Sequence, residues 1–372
     1  MSSLIQRPGQ VGRLIATGLA GSWREPPLGS LLSADELAAI TPVAIKAASG
    51  PLLWRRIRNT SLADSECGKQ LQNLYRLHRL EARIHRHKIR TILESFDRAG
   101  IDSLMMKGWS VERLYPEPGL RHYNDLDLCV SPKQWRSARK TLNSLGPLGS
   151  YVDLHRGLGR HENVNWFELV ERAETVDLDG MPVKVLGAEH HLRLLCLHWL
   201  RHGGWSPSGL CDVAVTLEAR RLDFDWEIVL GPNKKRADWV ACTVGLAHHL
   251  LGANVTNTPM AGRARNLPRW LVPAVMRQWQ SCINPNYRDI ALAELRPFLR
   301  NPKRLAIELS DRWSHPIRAT VEVGGQFSDN PRGPYQLAAL LLRSPELPRQ
   351  IAMLASRRIQ SLFQRHRNIS IT

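Results

Sequence analysis

The chain has 372 residues, 51 of them Lys or Arg and 34 Asp or Glu, for a formal net charge of +17. That length allows two or three domains with a sizeable core, and the charge favours an anionic partner such as a nucleotide, nucleic acid or an anionic surface without choosing among them. The absence of an apolar run of roughly 18 residues excludes a membrane-spanning helix, and Met1-Ser2-Ser3-Leu4-Ile5-Gln6-Arg7 lacks the apolar core of a secretory signal, so a cytoplasmic protein is expected.

Residues 1–30 contain Gly, Pro and Ser with little periodicity and predict a flexible arm, with a basic, weakly amphipathic patch at Arg13–Leu19. Ser33-Ala34-Asp35-Glu36 has the form of a helix N-cap with acids in the first turn, and helices are expected through about residue 99. Leu71–Gly100 reads as one long helix rich in Arg76, Arg79, Arg83, Arg86, Lys88 and Arg90, interleaved with Leu74, Leu77, Leu80 and Ile84. A solvated basic face is the first reading of that pattern and an RNA-binding face the second. Gly100 ends it.

Ile101–Met106 is an apolar run of strand length that stops at a Lys107-Gly108 turn. After a short helical piece and a Pro/Gly loop, Asn124–Val130 alternates as a strand does, so Asp125 and Asp127 share one face while Leu126 and Leu128 turn to the core. Two carboxylates about 7 Å apart repel each other unless a cation lies between them. Magnesium suits one or two carboxylates completed by a substrate's phosphates, whereas calcium needs a fuller oxygen cage that the neighbouring sequence lacks. Glycine at 108 lets backbone amides approach a phosphate closely, and the Arg121 fork of donors, four residues before the pair, has the reach to join them.

The elements Lys107-Gly108, Tyr115-Pro116-Glu117-Pro118-Gly119-Leu120-Arg121 and Asp125-Leu126-Asp127-Leu128 resemble the nucleotidyltransferase superfamily related to DNA polymerase beta. More closely, they are similar to the bacterial family of uncharacterised nucleotidyltransferases. The resemblance covers about residues 40–260 and implies an α+β fold, a small mixed-sheet core flanked by helical regions. It also implies Mg2+ or Mn2+, an NTP such as ATP as substrate, phosphate contacts from Lys107, Gly108, Ser110 and Arg121, and a third catalytic, metal-binding carboxylate beside Asp125 and Asp127. Ser110 stands near the superfamily's small residue, with the bulky Trp109 between it and the glycine.

Beyond the pair, Ser131-Pro132 opens a helix to about Leu145, long enough for a crossover, and Tyr151–His155 reads as the next strand. By the resemblance Asp153 is the third carboxylate, although Arg156 stands where the family commonly has an aromatic. His155 shares the face of Asp153 and either orients a substrate or is an ordinary hydrogen-bonded histidine. Asp177-Leu178-Asp179-Gly180 is a second Asp-x-Asp, but Asp179-Gly180 between apolar pieces marks a hairpin turn.

From Gly187 the pattern is helical, with Leu192, Leu195, Cys196 and Trp199 on one side. His198 and His202 lie four apart there, yet without an HExxH pattern or a third ligand they read as core or cap histidines. Helices follow over Leu210–Leu222, Trp226–Leu230, Ala237–Leu251 and Trp270–Gln280; residues 290–372 are Arg-rich and helix-prone, and the basic end from Arg357 to Arg367 reads as a solvated face. Cys67, Cys129, Cys196, Cys211, Cys242 and Cys282 show no CxxC or zinc spacing, so buried free thiols are expected.

The expected organisation is an arm (1–30), an N-terminal helical region (31–100), a nucleotidyltransferase core (101–186) and a C-terminal helical domain (187–372). The expected activity is metal-dependent transfer of an NMP group from an NTP to a hydroxyl-bearing small molecule, peptide or protein. A toxin-like enzyme that modifies tRNA, or a non-catalytic RNA-binding or scaffold protein, are the alternatives.

Overall fold

A computed structural model describes residues 9–29, 32–159, 162, 164–281 and 313–343. The basic end near Arg357 and Cys282 lie outside them. Four helices precede the sheet: α1 (Gln10–Leu19), α2 (Ala34–Lys46), α3 (Gly50–Ile57) and α4 (Glu66–Arg98). Then come β1 (Ser103–Met106), α5 (Gly108–Glu112), β2 (Leu126–Val130), α6 (Trp135–Ser144), β3 (Val152–Arg156), α7 (Trp166–Glu171), β4 (Glu174–Leu178) and β5 (Met181–Val185). The carboxyl-terminal half adds α8 (Ala188–Arg201), α9 (Pro207–Glu218), α10 (Trp226–Leu230), α11 (Lys234–Leu251), α12 (Ala261–Arg265), α13 (Leu271–Ser281), α14 (Pro316–Glu322) and α15 (Gly333–Leu342). The fold is α+β, with one small mixed sheet flanked by helical regions.

The local chemistry explains the boundaries. Ser33 caps α2 in a reciprocal capping box with Glu36. Ser65 caps α4 through the amide of Gly68, so this helix begins at Glu66 rather than Leu71, and Gly100 follows its end at φ +65°. The inward stripe of α4 runs Leu71, Tyr75, His78, Ala82, His85 and Ile89. Leu77, Leu80 and Ile84, expected to interleave with the arginines on the packed side, are instead about half exposed. The helix turns two histidines, not these leucines, toward the body of the protein.

The five strands lie in the order β3-β2-β1-β5-β4. β2 is antiparallel to β1 and parallel to β3, with Asp127 opposite Asp153. One face packs on α4 and α6 through Ile89, Ile92, Phe96, Ala138 and Leu142. The other, carrying Leu104, Met106 and Cys129, packs on Leu169 of α7 and Leu194 of α8. Covered on both sides, β2 is buried throughout.

A larger apolar core joins α1–α4 to α8, α9, α11 and α13. The flexible arm expected over residues 1–30 is corrected here for Gln10–Leu19, where a helix buries Ile15 and Leu19 against that core. A stripe of Val11, Ile15 and Leu19 at four-residue spacing outweighs the scattered glycines. Cys129, Cys196, Cys211 and Cys242 are buried free thiols, and Cys67 is half-buried. Among the described residues no helix is long and apolar enough to cross a membrane.

Candidate active site

The end of β1 delivers the chain to a strained turn. Lys107 adopts φ +52° and ψ −147°, a conformation that costs a residue with a side chain about 1–3 kcal/mol and persists only where its surroundings impose it. His191 of α8 supplies part of that constraint: its Nε2 accepts the Lys107 amide hydrogen at 3.0 Å. Burial, aided by the neighbouring cations Arg113 and Arg121, pushes the His191 pKa down to about 3. The imidazole is therefore neutral, with the lone pair on Nε2 and the proton on Nδ1. Gly108 follows at φ +38°, close to the Asp125 carbonyl.

From this turn Lys107 reaches β2, its Nζ 2.6 Å from Asp127 Oδ1. The parallel pairing of β2 with β3 sets Asp153 beside Asp127. His155, two residues further along β3, places Nε2 3.0 Å from Asp127 Oδ1 and 3.1 Å from Asp153 Oδ2. Burial alone would raise the Asp127 pKa, but the His155 hydrogen bond and the Lys107 ammonium overcome it and hold the carboxyl below its ordinary value. Asp125, just ahead of β2, is shifted the other way, first by desolvation and then by the Asp127 charge.

All three carboxylates line one cleft of about 550 Å³, with Lys107, Gly108 and Arg121. Asp127, Asp153 and His155 each offer a ligand atom within 4.8 Å of the others. Asp125 lines the cleft with Asp127 and Asp153 but is not part of that tight group, which brings in His155 instead. Carboxylate oxygens with one imidazole nitrogen suit a hard to borderline dication such as Mg2+ or Mn2+. Lys107 and His155 supply the counter-charge and hydrogen bond that let the acidic groups share the cleft.

Two expected phosphate ligands are engaged or enclosed by the protein itself. The Arg121 fork grips Asp212 of α9, with Nε and Nη2 at 3.1 and 2.9 Å from Oδ2, while Nη1 donates to the His122 carbonyl at 2.9 Å. Tyr115 donates its hydroxyl to the same carboxylate at 2.9 Å. Burial works against the guanidinium charge, yet Asp212 holds Arg121 firmly protonated. Arg121 therefore lines the cleft as a braced wall and does not present its donors to a phosphate. Ser110 is fully buried on α5 and is absent from the cleft lining, so the structure does not bring its hydroxyl to the other site residues.

The second Asp-x-Asp is a turn, as its sequence suggests: Asp177 accepts the Gly180 amide hydrogen, and Asp179 pairs with Arg86 at 2.9 Å. His198 and His202 lie with ring centroids 4.4 Å apart and line the far wall of the cleft with Trp199 and Trp205. Burial first, then Lys107 and Arg318, pushes the His202 pKa down to about 4. Sequence reasoning did not single out His191, and it reached Asp212 only as part of Cys211-Asp212-Val213, a segment that resembles the family's C-terminal part, without a role. Asp212 carried a signal nonetheless, as the lone acid inside the apolar run Leu210–Leu217.

Neither a curated protein nor a solved structure matches the chain. A family described as uncharacterised nucleotidyltransferase matches residues 33–148 and 147–252, a span that holds every cleft residue discussed above. Since that match extends over more than half of the 372 residues, the chain belongs to the uncharacterised nucleotidyltransferase family.

Proposed function

We propose that the protein is a metal-dependent nucleotidyltransferase that moves an NMP group from an NTP to a hydroxyl-bearing acceptor. The observation that carries this reading is the convergence of Asp125, Asp127 and Asp153, from two adjacent strands, on a cleft that also holds Lys107. Asp125, Asp127 and Asp153 would hold Mg2+ or Mn2+, with His155 beside them. The bound ion supplies neutralisation of the triphosphate and polarisation of the phosphorus under attack.

The protein's own groups do the rest. Lys107 offers a cation to phosphate oxygens, and the close-approach backbone at Gly108 offers amides. Asp153, more exposed than Asp127, accepts the proton of the incoming hydroxyl, with His155 orienting its carboxylate. Trp199, Trp205 and His198 add an aromatic and histidine lining to the same cleft. Arg121, fixed by Asp212, holds the loop that carries Asp125.

The test is incubation of the protein with each radiolabelled NTP, magnesium and a cell extract. One labelled product is expected with the wild type and at least about a thousandfold less with Asp127→Asn; undiminished transfer by Asp127→Asn would overturn the assignment. A second reading, an RNA acceptor, is favoured by the exposed Arg76, Arg79 and Arg83 on α4. It requires the labelled product to be RNA and its binding to weaken steeply with salt.

A further inference from the structure

Outside the carboxylate cluster, His78 and Glu81 of α4 and His122 of the loop leading to Asp125 bring one ligand atom each within 4.8 Å of the others. His78 is only 7% exposed, and among the described residues its buried Nδ1 has no hydrogen-bond partner. Glu81 Oε2 is likewise buried without a hydrogen bond. His122 Nδ1 comes within 3.3 Å of that oxygen without hydrogen-bond geometry. The other ring nitrogen of His122, Nε2, meets Asn124 Oδ1 at 2.7 Å.

An amide oxygen is an acceptor, so Asn124 draws the imidazole proton to Nε2 and leaves a lone pair on Nδ1, facing the carboxylate. The His122 lone pair and a carboxylate oxygen thus face each other with no proton between them, and a nitrogen of the buried His78 ring joins them within 4.8 Å. Such a trio is repulsive until a cation joins it, and two imidazoles with one carboxylate are a zinc-type donor set. The His78 and His122 rings are stacked, with centroids 4.3 Å apart. Asn124 plays the part of the outer hydrogen-bond partner that fixes the tautomer of a ligating histidine.

We propose that His78, Glu81 and His122 form a binding site for a zinc-class dication that clamps the loop bearing Asp125 onto α4. The site is distinct from the Asp127, Asp153 and His155 group and does not depend on the transfer reaction. Its sequence trace is a His-x-x-Glu pair one helical turn apart on α4, which places both side chains on a common face, with the third ligand supplied by the loop.

The test uses the full-length protein, stripped with a chelator and titrated with Co2+ as an optical probe and with Zn2+ in competition. The wild type is expected to take up zinc at this site and to show the intense visible absorption of four-coordinate cobalt. His122→Ala, Glu81→Gln and His78→Ala should each weaken zinc by about tenfold or more, and Asn124→Ala by about tenfold through the tautomer. The double variant Asp127→Asn with Asp153→Asn should keep the site. His122 lies on a partly exposed loop, so its variant reports even where His78→Ala fails to fold, with metal-free melting curves as the check. The proposal is overturned if the wild type takes up no zinc, if affinity is unchanged in His122→Ala and Glu81→Gln, or if zinc is lost in the Asp127, Asp153 double variant.

Discussion

Asp125 and Asp127 are separated by one residue, yet their carboxyl groups shift in opposite directions, up for Asp125 and down for Asp127. Asp127 has Lys107 and His155 as partners; Asp125 meets desolvation and then the charge of Asp127. A folded-state pKa raised above the unfolded value means that the folded protein favours the protonated acid. The contribution of Asp125 to stability is thus full below the ordinary aspartate pKa and is lost as pH rises through its raised value. Asp125→Asn, studied in chelator, should melt at a higher temperature than the wild type at pH 7, and the difference should vanish as pH falls below the ordinary aspartate range. An unchanged or lower melting temperature at neutral pH would show that desolvation and the Asp127 charge do not disfavour the ionised Asp125 carboxylate in the folded protein. The pairing of Asp125 with Asp127 was legible in the sequence because strand side chains alternate with a fixed period. The partner of Arg121 was not, because Asp212 lies 91 residues further along and only the folded chain joins them.

At the scale of the elements, the loop between α5 and β2 presses closely on α4. Gly119 sits at φ +83°, donates its amide hydrogen to Glu112 at 2.9 Å, and leaves so little room that a Cβ there would lie 2.5 Å from the Arg79 backbone nitrogen. Gly180 has nearly the same φ, +84°, in the β4–β5 turn, with nothing within 4 Å of an added Cβ. Gly119→Ala should therefore cost about 2–4 kcal/mol, from backbone strain plus overpacking against α4, and Gly180→Ala only about 1 kcal/mol from strain. Urea denaturation of the two variants measures the difference, and equal losses would mean that the loop does not press on α4. The strands and α4 were readable from alternation and capping. Which stripe of α4 faces inward was not, since two histidines take positions that hydrophobic periodicity would assign to leucine.

At the scale of the molecule, Asp212 ties the site to the helical half. Its side chain is 2% exposed and holds Arg121 and Tyr115 together, from a helix whose neighbours belong to the large shared core. Truncation would leave a largely enclosed guanidinium without its counter-charge, so Asp212→Ala should lower stability by about 3–5 kcal/mol. Adding Arg121→Met should restore part of that loss, and a strictly additive double variant, measured by denaturant titration, would mean the two groups do not act as a pair.

The shared core also bears on how the polypeptide is made. Helices α1 to α4 emerge from the ribosome first, but their apolar faces are completed by α9, α11 and α13, which are synthesised much later. Until then the nascent chain carries an uncovered oily surface, the kind that holding chaperones recognise. The acidic strand edge is already in the growing polypeptide during that interval, while the helix that braces Arg121 is still untranslated. The proposed site is therefore complete only once the carboxyl-terminal half has arrived.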